Sequence, residues 1–183
     1  MARQRLERPR EQMLEAAMSA ITEHGLAELT MAALARRLGT SGGHLLYYFG
    51  SKDQLLLETL VWSETQVAPR REALLSLPGS AEERLRAYVD LYVPVGQADP
   101  RWLLWVDVWS RTLAVPELRE TQARLDQAWH ETLVALLPEA GEDFSVRLRA
   151  MLDGFSTQLV VGVPGVDREA VIEHALAFGR LTL

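Results

Sequence analysis

The sequence predicts an all-α protein of about nine helices, a short three-helix head over residues 1–50 and a longer helical body over residues 51–183. Three observations carry this. Apolar residues recur at three- and four-residue intervals along almost the whole chain, the period of a helix buried on one face. No stretch alternates apolar and polar residues over the length of a strand. Gly and Pro, flanked by Ser, Thr or Asp, divide the chain into helix-sized pieces.

Taken in order, the first helix spans about residues 10–24, with Met13, Ala17, Ala20 and Ile21 on one face and Gly25 as its stop. Thr30 is placed to cap a short helix, Met31 to Leu38, because its hydroxyl can accept from the free amides of the first turn. Gly39 ends that helix, Thr40 or Ser41 caps the next one through Tyr48, and Ser51 caps a long helix from Lys52. Pro69 is expected to kink or end the long helix. Further helices are expected at 81–95, 100–114, 116–137, 143–162 and 167–181.

Composition narrows the class. The 183 residues include no cysteine, so disulfides and thiolate metal sites are excluded. The four histidines are scattered without metal-ligand spacing, and no metal or cofactor is expected. The basic N-terminus is followed by no apolar stretch, and the longest uncharged run, Gly154 to Val166, is too short to span a bilayer. A soluble, cytoplasmic chain without membrane partners is expected. The net charge of −6 is uneven: residues 1–60 hold seven basic and seven acidic side chains, so the excess negative charge lies in the body. A head richer in cations than its body is compatible with DNA binding by the head alone.

Two short helices joined by about three residues that include Gly39 form a helix-turn-helix, whose second helix enters the major groove. The string from Leu29 to Leu56 sharpens this reading. Through Thr30, Ala35, Gly39, Ser41, Gly43, Leu45, Tyr48, Phe49, Ser51, Lys52 and Leu55 it resembles the TetR family of one-component transcriptional regulators. The resemblance implies a ligand-responsive, DNA-binding regulator, a repressor by family default, and not an enzyme. It also implies double-stranded operator DNA, a small-molecule effector and a second copy of the chain as partners. In one respect the chain departs from the family: Leu46 stands where a tyrosine is usual, with Tyr47 following.

The DNA-facing set is read as Thr30, Thr40, Ser41, Gly42, Gly43, His44, Tyr47 and Lys52. Thr30 reads as a plain N-cap or as a phosphate contact, and the two are compatible. Lys52 sits at the positive end of a helix, an unfavourable place that an anionic partner would relieve. His44 has base-reading reach, whereas Gly42 and Gly43 have none. Tyr47 and Tyr48 point about 100° apart, so one faces DNA and the other the core; Tyr47 is assigned to DNA. Arginines 3, 5, 8 and 10 are expected on phosphates.

In the body, Trp102, Trp105 and Trp109 share one helical face, which reads either as core packing or as the wall of an aromatic pocket. The stretch from Trp102 to Leu137, with Pro116 and Trp129, is similar to the effector domain of betaine-pathway regulators in the same family. An aromatic cage for a quaternary ammonium ion needs an acid. Asp107 lies about 140° around the helix from Trp102 and cannot supply it, so the acid must come from another helix. Met151 and Phe155 are added to the ligand-binding set. The last two helices each carry an apolar stripe, which a monomer core would also require; they are expected to form the homodimer interface. Charges at Leu152 or Leu176 should then give monomers. The competing readings are a helical enzyme or carrier that has lost DNA binding, for which no nucleophile–base constellation is visible, and an adaptor for protein partners.

Overall fold

The computed structural model describes residues 9–180, and among these there are nine α-helices and no strand. They are α1 (Pro9–His24), α2 (Met31–Arg37), α3 (Gly42–Phe49), α4 (Lys52–Leu74), α5 (Ala81–Tyr92), α6 (Pro100–Ala114), α7 (Arg119–Leu136), α8 (Glu142–Val161) and α9 (Arg168–Arg180). Single 3₁₀ turns at Leu26–Glu28 and Pro116–Leu118 lead into α2 and α7.

The predicted caps form. Thr30, Ser41 and Ser51 accept from the amides of Ala33, His44 and Gln54, so each of the three helices from α2 to α4 opens on a side-chain oxygen. Ser80 and Glu83 form a capping box on α5. Between α2 and α3 the chain must reverse within a few residues. Gly39 supplies this with φ +63°, a conformation that a Cβ makes costly.

Three helix boundaries differ from expectation. Helix α4 runs through Pro69 to Leu74. The carbonyl that Pro69 leaves without a donor belongs to exposed Thr65, where water can satisfy it, while Leu55, Leu56, Leu57 and Leu60 anchor the helix in the core. Helix α5 stops at Tyr92 and not at 95, because Pro94 forces Val93 into extended backbone (ψ 154°). The helix expected from 116 begins instead as a 3₁₀ turn.

Helix α4 is the centre of the molecule. It packs on α1 on the head side and on α5, α6 and α7 on the body side, and one continuous set of buried apolar residues runs from Met13 in α1 to Leu176 in α9. Helix α6 is tied to the start of α4 by Arg111, which bonds to Asp53 of α4 and to Asp107 one turn back on its own helix.

The stripes of α8 and α9 turn inward. Leu152 is 0 % and Leu176 1 % exposed within one protomer, and Phe144, Leu148, Val171, Ile172 and Ala175 are buried with them. The expectation that charges at Leu152 or Leu176 would release monomers is therefore corrected. These side chains form the protomer's own core, because α9 lies against both α5 and α8. The outward face of α8 carries Val146, Ala150, Gly154 and Val161.

In the head, Arg37 of α2 grips Glu23 of α1 through two bonds of 2.7 and 2.6 Å. The Arg37 guanidinium, with Ser19, holds the Glu23 carboxyl down at about 2, against an ordinary 4.5. A depressed carboxyl stabilises the fold above its unfolded value, and the contribution disappears as pH falls through the folded value. Urea midpoints of the wild type and Glu23→Gln should thus differ slightly at pH 7 and converge between about pH 4.5 and about pH 2. A difference that persists unchanged to pH 2 would assign the effect to something other than this pair.

Candidate nucleic-acid interface and aromatic cage

The head presents α3 as its most exposed apolar and aromatic edge. Leu45 and Phe49 anchor one side of α3 in the core, which rotates the other side outward. His44 is exposed, Leu46 is 46 % and Tyr47 83 % exposed, and Tyr48 is half-buried against the core. The division between the two tyrosines is the one read from helical spacing. His44 and Tyr47 both make edge contacts with Tyr48, at 5.1 and 5.5 Å between ring centroids. Ideal Cβ atoms at Gly42 and Gly43 would meet almost nothing, the nearest heavy atom being the Ser41 hydroxyl at 4.0 Å from the latter.

The remaining predicted residues stand at the starts of α2, α3 and α4 and in the turn between α2 and α3. Thr30 is exposed at the start of α2, and with its oxygen accepting from Ala33 it keeps its hydroxyl proton to donate. Ser41, and not Thr40, is the cap of α3; the half-buried Thr40 closes the turn through its amide to the Ala35 carbonyl. Lys52, in the first turn of α4, has no carboxylate within ion-pairing distance among the described residues, its neighbour Asp53 being held by Arg111. Arg10 departs from expectation. Its guanidinium bonds to Glu58 (2.6 Å) and to the Tyr48 carbonyl (2.9 Å) and lies 5.1 Å over the Phe49 ring. It braces α1 against α3 and α4, and so is not free for phosphate. Arginines 3, 5 and 8 lie outside the described residues.

The body contains a cavity lined by Tyr92, Arg101, Trp102, Trp105, Trp109, Asp126 and Trp129. The three tryptophans of α6 therefore do line a cavity, and they are also core: Trp102 and Trp105 are almost wholly buried. Tyr92 of α5 and Trp129 of α7 complete the ring, with neighbouring centroids 5.1 to 6.0 Å apart and mostly edge-to-face. Asp126 of α7, a carboxylate from another helix, also lines the cavity. The cavity is closed tightly: about 10 Å³ remains, no more than one water needs.

Polar contacts hold these rings in place. Glu64 of α4, only 3 % exposed, accepts the indole N–H of Trp105 on one oxygen and that of Trp129 on the other, both at 2.8 Å. Trp102 donates its indole N–H to the Tyr92 carbonyl at 2.9 Å. Arg101 bonds to that same carbonyl (2.5 Å) and to Glu64 (3.4 Å), and its guanidinium lies 5.4 Å from the Trp129 centroid. Arg71 lies 5.2 Å from the same ring. Beside the cage, Arg149 bonds to Asp126 at 2.5 Å, and the Tyr92 hydroxyl donates to Asp153. Burial first, and then the Asp153 charge, hold the Tyr92 phenol well above its usual range, which keeps it a donor.

Met151 and Phe155, placed in the ligand-binding set from sequence, do not line this cavity; Phe155 stacks on His174 of α9 at 5.2 Å. Sequence reasoning missed Tyr92, Glu64, Arg101 and Asp126. Tyr88 and Tyr92 at an i, i+4 spacing, followed by Pro94, were a readable sign of an aromatic helix end. A lone Glu inside a long amphipathic helix carried no such sign.

Comparison with known proteins agrees with these features. Residues 13–59 match the model of bacterial regulatory proteins of the tetR family, and residues 81–181 match that of the BetI-type transcriptional repressor C-terminal region. The HTH-type transcriptional regulator BetI 1 of Chromohalobacter salexigens is 30 % identical over 169 residues, covering 86 % of this chain and 82 % of its own. BetI of Burkholderia mallei is 30 % identical over 178 residues, 91 % of this chain and 89 % of its own. A transcriptional regulator from Saccharomonospora viridis, solved in complex with choline, superposes with a TM-score of 0.80 at 26 % identity, over 96 % of this chain and 97 % of that one. A head built to present α3, a helical body and these matches together establish that the chain belongs to the TetR family of DNA-binding transcriptional regulators, with a BetI-type C-terminal region.

Proposed function

We propose that the chain is a repressor released from its operator by a small quaternary ammonium compound, of which choline is the first to test. The observation that carries this is the ring of four tryptophans and one tyrosine with Asp126 at its edge, since stacked aromatic faces and a carboxylate are what a tetraalkylammonium ion binds. The choline complex of the Saccharomonospora viridis protein supports the choice of ligand. Trp102, Trp105 and Trp109 form the ligand-binding set with Tyr92, Trp129 and Asp126. Residues 1–50 act as the DNA-binding head and residues 51–183 as the sensing and dimerising body. Opening the cage displaces α6, and Arg111 passes that movement to the first turn of α4, beside Lys52.

On DNA, direct readout falls to His44 and Tyr47, with Leu46, Gly42 and Gly43 allowing apolar contact with thymine methyls. Thr30, Ser41 and Lys52 contact phosphates, and Thr40 shapes the turn behind them. Two copies bind paired half-sites, joined through the outward faces of α8 and α9.

Three measurements test this reading. Choline should quench tryptophan fluorescence and release the protein from DNA upstream of its own gene in a gel shift. If the triple Phe variant at Trp102, Trp105 and Trp109 is folded and binds choline as tightly as the wild type, the cage is core only.

On DNA, Lys52→Ala should weaken binding alike on operator and random sequence and lower the salt slope by about 1. His44→Ala should instead cost about 1–3 kcal/mol at one base position per half-site. If the two variants exchange behaviours, α3 does not sit in the groove as placed.

For assembly, Gly154→Glu, where a side chain meets open space, should give a folded monomer in mass measurement and lose operator binding. Leu152→Glu should unfold the protomer. A Gly154→Glu protein that remains dimeric removes α8 from the interface.

A further inference from the structure

The cage is not empty of positive charge. Arg101 lines it, with its guanidinium over Trp129, and its partners are the Glu64 carboxylate and the Tyr92 carbonyl. Its side chain is only 12 % exposed. Arg71 also lies over Trp129 and 4.0 Å from Glu64, but it does not line the cavity. A cavity of about 10 Å³ cannot admit a tetraalkylammonium head without losing one of its own groups.

The choice among those groups is decided by electrostatics. Glu64 is buried, and a buried carboxylate deprived of a cation is strongly destabilising. The rings themselves cannot leave without exposing large apolar surface. Arg101 is the one lining residue whose departure can be matched in kind, one cation leaving as another arrives. It also stands in the first turn of α6, next to the Asp99 cap and at the positive end of the helix dipole, where a cation is held against an unfavourable field.

We propose that Arg101 is an internal stand-in for the effector: its guanidinium occupies the cation place in the resting cage, and a cationic ligand binds by displacing it from Trp129 and Glu64. Effector affinity is then set by competition with Arg101, which also ensures that neutral molecules of the same shape bind poorly. They would expel a cation and leave Glu64 undercompensated. This rests on the cage being the ligand site proposed above, but not on choline being the ligand.

The test compares wild type, Arg101→Ala and Arg101→Gln by calorimetry and thermal melting. The probes are choline, tetramethylammonium and guanidinium chlorides at low-millimolar concentration, against sodium chloride at equal ionic strength. Tetramethylammonium and guanidinium should raise the melting temperature of both variants and leave the wild type nearly unmoved. Choline should bind the variants roughly tenfold more tightly than the wild type. If the variants bind tetramethylammonium or guanidinium but no form of the protein binds choline, the stand-in role holds and choline is not the effector. If the folded variants bind choline more weakly than the wild type and respond to neither small cation, Arg101 is a brace and the proposal is overturned. The proposal falls equally if neither variant folds even with those cations present.

Discussion

The body of this protein is organised by a carboxylate that has no water to turn to. Glu64 lies inside α4, and its two oxygens are taken by indole N–H groups from α6 and α7, with Arg101 and Arg71 supplying the opposite charge. Burying an ion is expensive, and the expense is tolerable only when every lone pair is answered. That requirement sets the orientation of Trp105 and Trp129, and through their ring contacts that of Trp109 and Tyr92. Hydrophobic burial alone would tolerate several rotamers for rings of this size. The hydrogen bonds to Glu64 select one, and so convert an aromatic core into a shaped cage.

Helix α4 also joins the two parts of the molecule. The residues that hold the cage and the residues that start the helix beside α3 are on one continuous rod, 23 residues long. Arg111 adds a second link, from α6 to the first turn of that rod, so the cavity wall is tied to the end of α4 that follows α3. Pro69, which breaks most helices, lies where the lost hydrogen bond faces solvent, and so does not divide the rod.

Much of this was legible in the chain because local rules dominate. Thr30, Ser41 and Ser51 were readable as caps from their position before apolar periodic stretches, and Gly39 as the turn between them. The opposite exposure of Tyr47 and Tyr48 followed from helical angle alone. What could not be read depended on contacts between distant elements. Glu64 meets Trp105 and Trp129 across 41 and 65 residues, and Arg10 meets Glu58 across 48. No local pattern shows that a basic residue near the N-terminus will be spent as a brace. The inward turn of Leu152 and Leu176 was hidden for a related reason. An apolar stripe states that a face is covered, and only the packing of α5 against α9 shows that the cover belongs to the same protomer.

The glycine pair at the start of α3 has a structural consequence. Gly42 and Gly43 occupy the first turn of the helix, where propensity matters least, and neither has a neighbour that a side chain would strike. A Cβ can therefore be added at either place without striking Leu45, Phe49 or the cap at Ser41. The scaffold and the edge it exposes are separable: side chains at these two positions can change in chemistry while the packing of the head beneath them stays as it is.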